Sequence, residues 1–173
     1  MERRTIYLDL DDTVFNTSYF LEQATGWVVE HPKTIYDVFA ETSDFFNMSA
    51  MLEYSKIPLN ISVEDIKSLE EKYKVVVCTE YYTVTEIERK VSIMRDIFQI
   101  KDVIGIDRCY NRKYNLDLSD GILIDDTLEI LVKSNAMVKI WFTKSPEIPK
   151  EGIVKVGGFV ELYKELERLG CDI

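Results

Sequence analysis

A doubly wound, three-layer α/β domain on a parallel sheet is the fold this sequence predicts, and two observations carry the prediction. Apolar, β-branched runs recur at "TIYLDL" (5–10), "KVVVCT" (74–79), "DVIGID" (102–107), "GILIDD" (121–126) and "MVKIWFT" (137–143). Near-continuous apolar strands are those buried on both faces of a parallel sheet. Helical patterns lie between several of these runs, and alternating strand and helix is the sequence mark of a doubly wound sheet.

The first run leads into Asp9, Asp11 and Asp12, and then the rhythm breaks: residues 16–60 read as short helices with no strand. Nine of the chain's twenty aromatic residues fall between Phe15 and Tyr54. They are expected to form the small core of this insertion, with one or two rings turned towards a planar substrate group. The next helix, "SVEDIKSLEEKY", opens with Ser62 and Asp65 at capping-box spacing and sets Val63, Ile66 and Leu69 on one stripe. After the second run, "TEIERKVSIMRDIF" repeats the box with Thr85 and Glu88, and Ile87, Val91, Met94 and Phe98 form its apolar face. "TLEILVKS" follows Asp126, and "FVELYKELERLG" ends with Gly170 as the expected C-cap.

Composition narrows the function classes. With 173 residues, 46% hydrophobic and 30% charged, the chain can bury one domain with a modest insertion, as a soluble globular protein does. A net charge of −10 argues against a nucleic-acid polymer as partner, which needs clustered Lys and Arg. No apolar run reaches the roughly 18 residues of a membrane span. "MERRTIYLDL" lacks the long apolar core and cleavage site of a signal peptide. Cys78, Cys109 and Cys171, with no CxxC pair, read as reduced thiols of a cytoplasmic protein. The single histidine, His31, reads as a surface or loop residue beside Pro32; it leaves no His-clustered metal site and little room for Ser-His-Asp chemistry.

Ligands of an open parallel sheet bind beyond the carboxyl ends of its strands. Three of the five runs end there in residues suited to phosphate chemistry: Asp9-Leu10-Asp11-Asp12-Thr13, Cys78-Thr79 and Asp125-Asp126. Two like charges ~4 Å apart cost about 4 kcal/mol at an effective dielectric near 20, so something must offset the gathering of these acids. A divalent cation does so, and Mg²⁺ takes hard oxygen ligands such as a few aspartates. An EF-hand over 9–20 is excluded, because Val14 stands where Gly is needed and Phe20 where Glu is needed.

In these pieces the chain resembles the haloacid dehalogenase-like (HAD) phosphohydrolase superfamily. "DLDDT" matches its D-x-D-x-T motif, "VVVCT" its strand ending in Thr or Ser, and "ILIDD" its terminal acid pair, with a Lys before that strand. The resemblance implies a three-layer Rossmann-like HAD core, residues 1–15 and 61–173, with a small helical cap, 16–60, inserted after the first strand. Motif spacing and cap look most like the 5′(3′)-deoxyribonucleotidase branch. The implied activity is Mg²⁺-dependent hydrolysis of a small phosphorylated substrate, a (deoxy)nucleoside monophosphate above all, with a sugar phosphate or other small metabolite as the alternative. Asp9 would be the nucleophile and Asp11 the general acid and base. Thr13 would support the loop. Asp125 would complete the Mg²⁺ site with the Asp9 carboxylate and the Asp11 main-chain carbonyl, helped by Asp126.

Thr79 would hydrogen-bond the phosphate, and the motif lysine would be Lys113, with Arg112 as the rival. A basic residue from the helix after Thr79, Lys90 or Arg89, would also reach the phosphate. Glu80, where the branch has a small residue, is expected to point away or to bind a sugar hydroxyl. Asp12, where the branch has Gly, must tolerate turn geometry. A reading of another class is a non-catalytic phospho-receiver, in which Asp107 at the end of the third run would be the acceptor; it leaves 16–60 unexplained.

Overall fold

Side-chain alternation along the strands divides the interior into two layers. On β1 (Thr5–Leu8), Ile6 and Leu8 point into the larger core, whereas Tyr7 packs on the smaller one. The same parity holds on β4 (Gly121–Asp125), with Ile122 and Ile124 against Leu123, and on β5 (Val138–Phe142), with Ile140 and Phe142 against Trp141. A sheet apolar on both faces must be covered on both, which makes three layers. The computed structural model describes residues 3–28, 38–39, 41 and 44–171, the side chains of 45, 46 and 171 apart. His31 and the Cys171 side chain therefore lie outside the described residues.

With β2 (Lys74–Tyr81), β3 (Val103–Asp107) and β6 (Ile153–Val156), the sheet has six parallel strands in the order β3-β2-β1-β4-β5-β6. Ile6 lies in register with Val75 and Ile122, and Leu8 with Val77 and Ile124. This is the Rossmann-like core of the expected fold class. The chain crosses from one half of the sheet to the other between β1 and β4, and the ends of those two strands carry Asp9 and Asp125.

Four expectations are corrected. A sixth strand, "IVKV", is too short and too interrupted by Lys155 to show an apolar run, yet Ile153 and Val156 are buried beside β5. β2 continues past Thr79, pairing Glu80 with Ile106 and Tyr81 with Asp107 on β3, so Thr79 sits inside the strand. The helix after it starts early: Thr83, not Thr85, is the N-cap, its hydroxyl accepting the Glu86 N–H at 3.2 Å. Gly170 lies within the last helix, which runs on to Cys171.

Helix α1 (Thr17–Thr25) and α2 (Phe45–Met51) follow β1, and Tyr54–Lys56 form a short 3-10 turn. Helix α3 (Val63–Lys72) has the reciprocal capping box of Ser62 and Asp65 that the sequence predicts. Helix α4 (Val84–Ile93) passes into one π-helical turn, Met94–Phe98. Its early start rotates the buried face to Glu86, Lys90, Met94 and Phe98, leaving Val91 exposed. Ile87 lies over β3 at Gly105, where a Cβ would stand 2.7 Å from its Cδ1. Helices α5 (Leu128–Lys133) and α6 (Phe159–Cys171) complete the layers.

Candidate active site

Three carboxylates meet where β1 and β4 end. The Asp9 N–H still belongs to the ladder, donating to the Ile124 carbonyl at 3.0 Å, and this holds the residue against Asp125 on the neighbouring strand. Carboxylate oxygens of Asp9, Asp125 and Asp126 all lie within 4.8 Å of one another. The Lys113 ammonium, buried with them, stands 2.5 Å from Asp9 Oδ1 and 2.5 Å from Asp125 Oδ2. Asp125 Oδ1 accepts the Thr127 N–H at 2.8 Å, which fixes its plane.

One ammonium against three carboxylates leaves two negative charges in a desolvated place. Burial, opposed by Lys113 and reinforced by Asp125 and Asp11, pushes the Asp9 carboxyl up to about 7. Asp126 is raised well above the ordinary carboxylate range by burial first and then by Asp12, Asp125 and Asp9. Burial alone would depress the Lys113 ammonium, but Asp125 and Asp9 outweigh it and raise it. Three converging hard oxygens with an uncompensated charge of two fit a divalent cation such as Mg²⁺.

Asp11 is separated from this trio although it is only two residues from Asp9. Its Oδ1 accepts the Tyr54 and Thr17 hydroxyls, each at 2.9 Å, and its Oδ2 pairs with Lys90 at 2.5 Å. The turn that does this runs through Asp12 in the left-handed region, φ 58°, as an Asp can. The Val14 and Phe15 N–H groups both close it on the Leu10 carbonyl. The Asp12 carboxylate caps α1 by accepting from the Ser18 N–H at 2.7 Å and from its hydroxyl, and burial lifts the Asp12 carboxyl to about 6. Thr13 makes no supporting bond: its buried hydroxyl has no hydrogen-bond partner among the described residues.

Of the two basic residues expected near the phosphate, Lys90 is fully buried against Asp11 and Arg89 is not. The Lys90 ammonium reaches Asp11, Glu86 Oε1 at 2.7 Å, the Glu80 carbonyl at 2.6 Å and Thr79 Oγ1 at 3.3 Å. Burial would lower its pKa; Asp11 and Glu86 prevail and raise it. Arg89 turns the other way and donates to the carbonyls of Ser49, Ala50 and Leu52 at the end of α2. Thr79, fully buried behind Lys90, does not line the cavity at the strand ends. Asp107, the receiver acceptor, is not in the acidic trio; its carboxylate takes the Cys109 N–H at 2.9 Å.

The cavity over these groups measures about 400 Å³ and is walled by the aspartates, Lys113, Tyr82, Trp141 and two arginines, Arg108 and Arg112. Glu80 neither binds the trio nor faces it alone: Oε1 accepts from Arg112 Nε at 3.0 Å and from the Lys113 N–H at 2.8 Å. It therefore holds the backbone that carries Lys113. Sequence reasoning missed Glu86, Tyr54, Thr17 and Arg108. Glu86 and Lys90 at i,i+4 were the available signal, masked by the apolar stripe one position away. Of the expected cap rings, Phe15, Phe39 and Tyr54 are buried in the core, while Trp27 packs on Phe39 and stays partly exposed.

No protein-family model matches the chain, and no curated protein sequence matches it. Among solved structures, a haloacid dehalogenase-like family hydrolase from Xanthomonas campestris is similar with a TM-score of 0.61 and 13% identity, over 98% of this chain and 93% of that one. A HAD hydrolase of family IA, variant 3, from Entamoeba histolytica is similar with a TM-score of 0.58 and 13% identity, over 93% of this chain and 95% of that one. At this identity the likeness establishes a shared fold. No helix among the described residues is long and apolar enough to cross a membrane.

Proposed function

We propose that the chain is a Mg²⁺-dependent phosphomonoesterase of the HAD-like superfamily, acting through an aspartyl-phosphate on Asp9. One observation carries the reading: two aspartates two residues apart stand in opposite environments, Asp9 within the trio beside Lys113 and Asp11 apart from it on Lys90, Tyr54 and Thr17. Paired carboxylates with divided surroundings are how one site supplies both a nucleophile and an acid. Residues 16–60 would be the cap over a core of 1–15 and 61–173. The free thiols of Cys78 and Cys109 suit a reducing, cytoplasmic setting.

In the first half-reaction an Asp9 carboxylate oxygen attacks phosphorus, and the ester P–O bond breaks as the leaving oxygen takes the proton of Asp11. Lys90, Tyr54 and Thr17 hold the Asp11 side chain in one orientation for that exchange. In the second, Asp11 accepts a proton from water, whose oxygen attacks phosphorus and releases phosphate and Asp9. Lys113 holds Asp9 in place throughout and neutralises charge on the phosphoryl oxygens. Asp9, Asp125, Asp126 and the Asp11 carbonyl would hold Mg²⁺, which would supply the screening that lets an anion approach a phosphate dianion. Thr79 would enter only through Lys90, whose ammonium it helps to place.

The leaving group expected from the nucleotidase-like spacing is a (deoxy)nucleoside, for which Tyr82 and Trp141 are the rings on the cavity wall. A second reading, a small metabolite bearing another anionic group, is favoured by the paired arginines. Hydrolysis of p-nitrophenyl phosphate that requires Mg²⁺ and disappears in Asp9→Asn is the expected result, followed by a phosphate-release screen over nucleotides and sugar phosphates. Turnover that survives Asp9→Asn would overturn the mechanism, and activity on sugar phosphates alone would retire the nucleoside.

A further inference from the structure

We infer that Arg108 and Arg112 form a second oxyanion subsite in the cavity, which selects phosphate esters whose leaving group carries its own carboxylate or phosphate. The inference rests on the phosphomonoesterase reading and adds the class of leaving group to it. Both arginines sit in the loop after β3, four positions apart, and converge on one acid. Arg108 Nε lies 3.5 Å from Glu80 Oε2 and Arg112 Nε lies 3.0 Å from Glu80 Oε1. Each guanidinium is also stacked on a ring, Arg108 at 5.1 Å from the centre of Tyr82 and Arg112 at 5.4 Å from that of Tyr114.

This arrangement does two things at once. It fixes both forks, since an ion pair at Nε and a ring below leave little rotational freedom. It also leaves them unsatisfied: a guanidinium has five N–H donors, and only the Nε one of each is engaged. Among the described residues none accepts a hydrogen bond from the terminal nitrogens of either arginine. Glu80 is the one carboxylate among the described residues within ion-pair distance of either guanidinium, with Glu129 acting on both from farther off. Side-chain exposures of 26% and 23% place them neither in bulk water nor in the core, on the wall of the same cavity as Asp9 and Lys113.

A structural role would have been served by one arginine on Glu80. A planar fork held edge-outward beside a partly desolvated space is suited to bidentate contact with a carboxylate or phosphate. The nearby acid Glu129 pairs with Lys133 at 2.5 Å and acts on the two arginines only at longer range, with no ion pair to either. Lys113 and the Asp9 trio already account for the reacting phosphoryl group. The arginine pair therefore serves the other end of the substrate.

The test uses phosphonates, which cannot be hydrolysed. Dissociation constants are measured by calorimetry in Mg²⁺ buffer for ω-phosphonocarboxylates and α,ω-bisphosphonates of two to five carbons, each against the alkylphosphonate of equal length. At least one chain length is expected to bind about tenfold or more tightly through its second group, the size of a charge-assisted bidentate contact. Whether the carboxylate or the phosphonate arm gains more identifies the natural group. Arg108→Met should erase that advantage, bringing the affinity ratio of paired probes to about one; Arg112→Met, checked by melting for intact folding, gives a second reading of the same loss. Equal affinity of paired probes at every length would overturn the subsite alone, as would equal weakening of both classes in Arg108→Met, which would put that arginine on the reacting phosphate. Absence of binding by both classes would overturn the phosphate site itself and the subsite with it.

Discussion

Replacing Lys90 by Met keeps the volume of a fully buried side chain and deletes its charge. Two carboxylates lose their counter-ion, Asp11 at 2.5 Å and Glu86 at 2.7 Å. Removing one partner of a buried pair costs about 3–5 kcal/mol, because the remaining charge stays desolvated. Here the lower end is expected. Glu86 keeps the Tyr82 N–H at 3.1 Å and the Ser49 hydroxyl at 3.3 Å, and Asp11 keeps Tyr54 and Thr17. A loss of about 3 kcal/mol lowers the melting temperature of a domain this size by roughly 6–12 °C, readable by calorimetry or circular dichroism. The double variant Glu86→Gln/Lys90→Met should regain about 1 kcal/mol or more over Lys90→Met, since one buried charge is gone. A drop under about 2 °C, or strict additivity of the two substitutions, would refute the view of Lys90 as a buried counter-ion.

Metal-free protein should lose stability relative to Asp9→Asn between about pH 4 and pH 7, at about 1.4 kcal/mol per pH unit, because Asp9 has its pKa raised to about 7 in the fold; saturating Mg²⁺ should flatten this slope in melting curves, and a relative stability that rises over the window would contradict the burial argument. Asp11→Asn should leave Mg²⁺ affinity nearly intact by calorimetry and cut turnover by about 10²–10⁴, because the atom it would lend to the metal is main-chain; weakened Mg²⁺ binding would argue against that division. Arg89→Ala removes the donor to three carbonyls at the end of α2 and should cost about 1–2 kcal/mol, with faster amide exchange over Phe45–Leu52; unchanged protection there would show that the contact does not hold the helix.

The sheet was legible because its strands are apolar on both faces, and the meeting of Asp9, Asp125 and Asp126 because a strand end fixes where a side chain goes; Lys113, in a short turn before β4, was indicated only by the resembled motif. β6 was not, since Lys155 sits mid-strand and spends its ammonium on the carbonyls of Ser145 and Glu147, a tertiary contact with no local trace. Helix α4 misled by phase. Ile87, Val91, Met94 and Phe98 form a clean stripe, and only the cap at Thr83 reveals that the neighbouring line with Glu86 and Lys90 is the buried one. Charged residues read as surface unless their partners are known, and those partners lie 37 to 79 positions away in sequence, at Ser49 and Asp11. Glu80, expected to point away or to bind a sugar hydroxyl, serves instead as the anchor of Arg112 and of the Lys113 backbone.

One carboxylate works as a rivet. Asp11 fastens the segment between β1 and β2 through Thr17 and Tyr54, and fastens the central layer through Lys90. Any shift of that segment by a bond length unseats the carboxylate proposed to exchange protons with the leaving oxygen. Redesign of this region for new substrates is thereby confined to changes that leave two hydroxyls standing where they are, however freely the rest is rewritten.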